Sequence, residues 1–490
     1  MENLILVIFI AYTLLILLVA HLTSRKTSNN TFFTGNKKSP WFVVAYGMIG
    51  ASLSGVTFMS VPGGVYSGQF TYFGIVLGYV IGYAVIAFLL LPLYYKLNLT
   101  SIYSYLEIKF GKSSEKTGAL LFIISRLVGS AIRMYLVVFV LYEFVFKTWG
   151  IPFWVPAVIF IVLILVYTFK GGIKTIVWTD TLQTTFLLLA ALMTIIIILK
   201  SLNISLGELM SISSERGYTK LFETDWSHGK FYVKQILSGA FITITMTGLD
   251  QDMMQKNLTC KSLKDAQKNV LTSSFFFVIV NILFMSLGAA LIYYAQETGI
   301  QLPTNESGVV VNDKIFPTVA FSLDKMTSII FMIGLIAAGY SSADGTLTAL
   351  TTTFCFDFLH FDKNDKISEE QKTKYRKFIH VGFALLYLFV IIIFRPFHNE
   401  SLIDKIFEIA GYTYGPLLGL YSFGLFMKNR KPNDKYVPFI AICSPIISYI
   451  LNLYSKDILF GYQFGFEILI VNGLITFIAL LLISKKENIK

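Results

Sequence analysis

Apolar runs about as long as a bilayer is thick recur along the chain, each closed by a short polar or basic stretch. Thirteen can be counted, near 3–23, 41–65, 70–95, 117–147, 152–169, 177–199, 234–252, 270–296, 328–358, 378–395, 405–427, 436–454 and 462–484. A helix rising ~1.5 Å per residue needs ~20 apolar residues to cross the hydrocarbon core. The pattern therefore predicts an all-α polytopic membrane protein with 13 transmembrane helices. The first run is a leading segment and the next ten are core segments 1 to 10. Ser24-Arg25-Lys26 follows the first run with no small-residue cleavage site, which reads as a retained helix rather than a signal peptide.

One run breaks the apolar pattern. Ala337 to Asp357 reads AAGYSSADGTLTALTTTFCFD, and Ser341, Asp344, Thr348 and Thr352 recur at three- and four-residue steps. That spacing lines one helical face with oxygen. A carboxylate and hydroxyls at membrane depth are costly unless they meet an ion, a partner or water. Oxygen ligands are also what a hard alkali cation needs in place of its hydration shell. The run predicts a cation site inside a transporter.

Composition agrees. Of 490 residues, 55% are hydrophobic and only 14% charged, against roughly 25% charged in soluble proteins. The net charge of +11 would suit nucleic acid, but its distribution does not. Most of the 40 Lys and Arg fall in alternate short loops: Arg25 to Lys38, Lys96 to Lys116, Lys170 and Lys174, Lys256 to Lys268, Lys363 to Lys377, Lys428 to Lys435, and the tail Lys485, Lys486 and Lys490. The positive-inside rule turns that bias into an outside N-terminus and a cytoplasmic C-terminus, in the inner (plasma) membrane. The lipid bilayer is then a partner and nucleic acid is not; nothing specifies an oligomer. Cys260, Cys355 and Cys443 match neither a metal spacing nor a disulfide framework. No zinc-protease, nucleophile-elbow or P-loop motif is present, so neither an enzyme nor direct ATP use is expected, and no cofactor is called for.

Four further features carry chemistry. Core segment 1, YGMIGASLSGVTFMSVPGG, is interrupted by Ser52, Ser54 and Thr57 and followed by Pro62-Gly63-Gly64. It is either a packing kink or an unwound helix that frees carbonyls for a cation. Asp180 opens core segment 5 and is either an interfacial acid or a partner of Asp344 across a shared sodium ion or proton. Arg126 and Arg133 lie seven apart inside an apolar stretch. Arg133 would recognise an anionic solute or pair with Asp180, Asp344 or Glu143, whereas Arg126 reads as a structural ion pair or as snorkelling toward the cytoplasm. Gly411-Tyr412-Thr413-Tyr414-Gly415-Pro416 would bend core segment 10, as a gate hinge or a packing kink.

These residues resemble the sodium/solute symporters. The motifs are GASLSGVTFMSVPGGVY, LPLYYKLNLTSIYSYLEIKFG, YTFKGGIKTIVWTDTLQ, the AAGYSS run and GYTYGPLLGLYSFGLF, and they cover nearly the whole chain. Core segment 1 is most similar to bacterial sialic acid transporters. The resemblance implies a LeuT-like fold in a single transmembrane domain over 1–490. The leading helix would span 3–23, the first inverted five-helix repeat and the start of the second 41–252, the second repeat 234–427, and two trailing helices 436–484. It implies a main sodium site built from carbonyls of Gly50, Leu53 and Ala338 and hydroxyls of Ser341 and Ser342. A second cation site would hold Asp180, Ser341, Asp344 and Gly345, the last two standing where relatives have serines. Ser52, Ser54, Thr57 and Tyr72 match solute contacts. Val76 and Gly129 stand where relatives have a contacting glutamine and a carboxylate-binding arginine, and Arg133 lies one turn beyond. The expected function is sodium-coupled symport of a small polar, anionic solute (sialic acid-like, a monocarboxylate or a sugar) by alternating access. The alternatives are a proton-coupled symporter using Asp180 and Asp344, and a transporter-like membrane sensor.

Overall fold

The computed structural model describes residues 2–24, 28–364, 366–394 and 402–486; Arg25, Lys26 and Lys490 of the expected basic loops lie outside the described residues. The chain runs through α1 (Glu2–Thr23), α2 (Trp41–Ser52), α3 (Gly55–Gly68), α4 (Phe73–Val85), α5 (Lys112–Leu141) and α6 (Trp154–Leu202). It continues with α7 (Tyr232–Thr243), α8 (Gln251–Asn257), α9 (Leu263–Thr298), α10 (Lys325–Thr353) and α11 (Glu369–Ile393). Then come α12 (Leu402–Thr413), α13 (Gly415–Phe426), α14 (Val437–Leu453) and α15 (Ile468–Leu482). A two-stranded antiparallel ribbon ties β1 (Arg430–Pro432) to β2 (Ser484–Lys486).

Among the described residues, 8 helices are long and apolar enough to cross a membrane, or 9 if α2 and α3 count as one bent span. The difference from the 13 apolar runs has a physical cause. The runs at 152–169 and 177–199 are joined in α6, which has 49 residues. A straight helix of that length would reach roughly 74 Å, more than twice a hydrocarbon core. It turns at Gly172 (φ 51, ψ −142), where a side chain would strike Phe32. The runs at 234–252 and 405–427 are split into the short pieces α7 and α8, and α12 and α13, too short to span singly.

The break in the second run falls between α2 and α3, which meet at 59°. Pro62 and its glycines do not cause it, because α3 continues through them. Leu53 instead leaves the helical region (ψ 95) and Ser54 caps α3, its hydroxyl accepting from Thr57 N at 3.4 Å. Gly63 and Gly288 serve close packing: side chains there would strike the Asn312 and Pro62 carbonyls.

α10 is the centre of the molecule, with every residue from Leu335 to Thr353 buried. α6, α5, α11 and α1 pack around it, while α4 packs on α7, and α9 on α2, α3 and α4.

Candidate functional site

The α2–α3 break faces a cavity of about 70 Å³. Ser52, Ser54 and Thr57 line it from the break, Tyr72, Tyr79 and Tyr83 from the α4 side, and Thr243 and Thr247 from α7 and its end. Arg126 and Arg133 enter from α5; Phe277, Ile406 and Phe407 supply apolar wall. Tyr72 and Tyr79 hydroxyls meet at 2.9 Å, and Ser52 lies 3.4 Å from the Tyr83 hydroxyl. A second cavity of about 280 Å³ shares Tyr72 and Ile403 with the first and opens past Lys230, Lys234 and Asn312. The first alone is below the size of a typical solute site. The two joined reach the ~300 Å³ at which solute sites begin. An arginine, hydroxyls and aromatic faces around one cleft suit a small anionic polyol or carboxylate.

Five of the expected solute contacts thus come together: Ser52, Ser54, Thr57, Tyr72 and Arg133. Two do not. Val76 is fully buried outside the cavity lining, where the Tyr72–Tyr79 hydroxyl bridge spans its turn of α4. Gly129 lines a separate pocket of about 10 Å³, with Ser130 and Tyr414, that Arg133 also borders. Tyr79, Tyr83, Thr243 and Thr247 were not singled out from sequence. The tyrosines continue the Tyr72 stripe at helical spacing, a signal shared with any packed aromatic face.

Around the break, backbone bonds run from Leu53 N to Ile49 O and from Phe58 N to Ser54 O. The carbonyls of Gly50 to Leu53 therefore fall outside the helical ladder. Of the helices of the break, α2 packs against α6 and both pack against α10. A side chain at Gly50 would strike Thr184, one at Gly47 would lie 3.1 Å from Asp180, and one at Gly55 would lie 3.9 Å from Ala338.

On α10 several hydroxyls are spent on their own helix: Ser342 donates to Ala338 O at 3.1 Å, Thr346 to Ser342 O and Thr352 to Thr348 O, each at 2.8 Å. The buried hydroxyls of Ser341 and Thr348 have no hydrogen-bond partner among the described residues. Free carbonyls beside an unpartnered hydroxyl are what a sodium ion can use. Among the described residues, no group of three or more His, Cys, Asp or Glu is placed to hold a metal.

The acids of the expected second cation site part company. Asp344 accepts from Tyr167 Oη at 3.0 Å, Thr179 Oγ1 at 3.5 Å and Gly345 N at 2.6 Å. Asp180 instead meets Lys256, whose Nζ lies 2.9 Å from Asp180 Oδ2 and 3.5 Å from Asp252 Oδ1. Lys256 was read as a basic-loop cation and is in fact buried on α8. Asp252 pairs in turn with Arg126, whose Nη1 lies 3.6 Å from Asp250; Tyr414 Oη donates to Asp250 at 2.6 Å. None of the partners expected for the arginines engages either one: Glu143 pairs with Lys147, and among the described residues Arg133 has no ion pair. Asp250, Asp252 and Lys256 were missed. The Asp252/Lys256 spacing of four was a signal, but one that reads equally as a solvated helix pair.

The sodium:solute symporter family model matches residues 32–433 of this chain. The chain is 26% identical over 474 residues to the sodium/sialic acid symporter SiaT of Proteus mirabilis, covering 94% of this chain and 92% of that one. It is 25% identical to the sodium/sialic acid symporter NanT of Aliivibrio fischeri, covering 86% and 83%. Its fold matches a substrate-bound outward-open Na+-coupled sialic acid symporter with a TM-score of 0.82, at 23% identity and over 98% and 99% of the two chains. It also matches Mhp1, a nucleobase-cation-symport-1 family transporter, with a TM-score of 0.57 at 14% identity, over 92% and 93% of the chains.

Proposed function

The chain belongs to the sodium:solute symporter family, and from that premise we propose that it couples sodium entry to uptake of a small anionic solute. It is a multi-pass membrane transporter rather than an enzyme. The observation that carries the coupling is the α2–α3 break: both of its helices pack on α10, the Gly50 to Leu53 carbonyls fall outside the helical ladder, and the buried Ser341 hydroxyl of α10 has no hydrogen-bond partner among the described residues. In this reading Gly50, Leu53 and Ala338 carbonyls and the Ser341 and Ser342 hydroxyls hold sodium. Ser342 gives up its bond to Ala338 to do so. Sodium then braces the break against α10. That shapes the Ser52, Ser54, Thr57, Tyr72 and Arg133 cleft, so sodium and solute raise each other's affinity equally.

The cavity that opens past Lys230 and Asn312 is the outer vestibule, with the basic loops facing the cytoplasm of the cell that carries this inner-membrane protein. The paired breaks, at α2–α3 and at α7–α8, support two inverted five-helix repeats within thirteen segments. Arg133, on the cleft and without an ion pair among the described residues, supports an anionic solute, and sialic acid is the first candidate because relatives are named for it.

The test is uptake into proteoliposomes of N-acetylneuraminate, lactate and glucose. A sodium gradient should drive accumulation of one of the acids, and Ser342→Ala should raise half-saturating sodium at least about tenfold, the loss of ~1.4 kcal/mol. Uptake indifferent to sodium and to Ser342→Ala would overturn the reading. One observation favours proton coupling instead: among the described residues, Asp180 and Asp252 share Lys256, Asp250 and Asp252 share Arg126, and Asp344 has no ion pair. Accumulation driven by a pH gradient in sodium-free buffer would establish that alternative.

A further inference from the structure

The cation position beside Asp180 is already filled by a side chain. Lys256 reaches it from α8, just after the α7–α8 break, and its ammonium stands between Asp180 on α6 and Asp252 on its own helix. α10 makes room for it. A side chain at Gly345 would lie 2.8 Å from Lys256 Nζ and would also strike the Asp252 carboxylate. No group on α10 can therefore reach between Asp344 and Lys256 from that position. Asp344 is held by hydroxyl and amide donors, from Tyr167, Thr179 and Gly345.

We propose that the Lys256 ammonium is the resident second cation of this transporter, tethered where a second sodium would otherwise bind, so that one sodium moves per cycle. The proposal rests on the sodium-coupled reading above and deepens it. A sodium ion on Asp180 would sit beside a buried ammonium on the same carboxylate, and like charges repel most strongly away from water. It would also be short of ligands. Among the described residues, the buried side-chain oxygens there without a hydrogen-bond partner include both Asp180 oxygens, Asp252 Oδ1 and the Ser341 hydroxyl; the Lys256 ammonium already stands against Asp180 Oδ2 and Asp252 Oδ1, and Ser341 belongs to the main site. Sodium favours about five. A tethered charge differs from an ion in one functional respect: it cannot leave. The Asp180–Lys256 contact must move or break as a unit when the inner end opens, whereas a sodium ion would diffuse away.

The experiment is equilibrium binding of radioactive sodium to the purified full chain in nanodiscs, which needs no known solute. The wild type should bind one sodium per chain, and Ser342→Ala should weaken that binding at least about tenfold. Asp180→Asn should still bind one sodium, because Asp180 is not a ligand. Lys256→Met, which keeps the stem and removes the charge, should bind two. Two sodium ions on the wild type, one of them lost in Asp180→Asn, would overturn the proposal. If Lys256→Met does not fold, the wild type and Asp180→Asn decide the question. Binding of no sodium by the wild type would overturn the coupling reading itself rather than the assignment of Lys256.

Discussion

Arg126 and Arg133 sit two turns apart on one helix, and they separate binding from stability. Arg133 lines the cleft and has no ion pair among the described residues. Its replacement by Met removes a charge-assisted donor without orphaning any carboxylate. A hydrogen bond to a charged group is worth ~1.5–3 kcal/mol, or ~10- to 150-fold in affinity. Stability should change by less than about 1 kcal/mol, because the Met side chain fills similar space and no buried partner is stranded. Two assays on one preparation check this: the KM for N-acetylneuraminate or lactate uptake in proteoliposomes, and thermal unfolding in detergent. The expected result is a KM raised at least about tenfold with an unfolding midpoint near wild type. Glucose, which has no carboxylate, should be unaffected if it is taken up at all. An unchanged KM for the acids, or a loss of stability as large as the loss of affinity, would refute the assignment of Arg133 to the solute.

The other predictions follow from the buried charges and the packing. Arg126→Met should cost about 3–5 kcal/mol of stability because it leaves Asp250 without a cation and Asp252 with only Lys256 at 3.5 Å, away from water. Arg126→Met with Asp252→Asn should recover part of that loss, which a double-mutant cycle of unfolding would reveal. Gly345→Ser should destabilise by about 1–3 kcal/mol, since its side chain would meet Lys256 Nζ and the Asp252 carboxylate; thermal unfolding at wild-type level would count against the packing described. Burial lifts the Asp313 carboxyl, in the loop before α10, to about 6, despite the amide of Leu402 donating to it at 2.9 Å. Its proton is held more tightly in the folded chain than in the unfolded one. The contribution to stability is therefore full at low pH and is lost as pH rises from about 4 to about 6, at ~1.4 kcal/mol per unit. Unfolding midpoints should rise as pH falls from 7 to 5, and Asp313→Asn should flatten that slope.

The sequence disclosed more of the site's inventory than of its pairing. Ser52, Ser54, Thr57, Tyr72 and Arg133 were visible because polar groups stand out in an apolar run, and they do share one cavity. The break in the second run was visible too, at Ser52, Ser54 and Thr57, but its cause was not. Proline and glycine were the evident breakers, yet the helix continues through them and yields where Ser54 can cap a new start. Lys256 was misplaced because a lysine just past an apolar run looks like a loop cation. Only the short, broken α8 turns it inward.

By itself, the sequence determined the membrane class, the basic bias of alternate loops, and the presence of oxygen along α10. Those properties follow from local composition and helical period, which a chain carries in any fold. Tertiary structure decided which of the oxygens are free. Ser342 is satisfied by its own helix and Ser341 is not, and that depends on what packs against each face. It also decided the charge partners: Asp180 with Lys256, and Arg126 with Asp250 and Asp252. Each pair joins helices far apart in the chain, and a buried charge takes the partner that packing delivers rather than the nearest one in sequence. The oxygen-lined helix was legible from the start; the ammonium standing beside its acids was not.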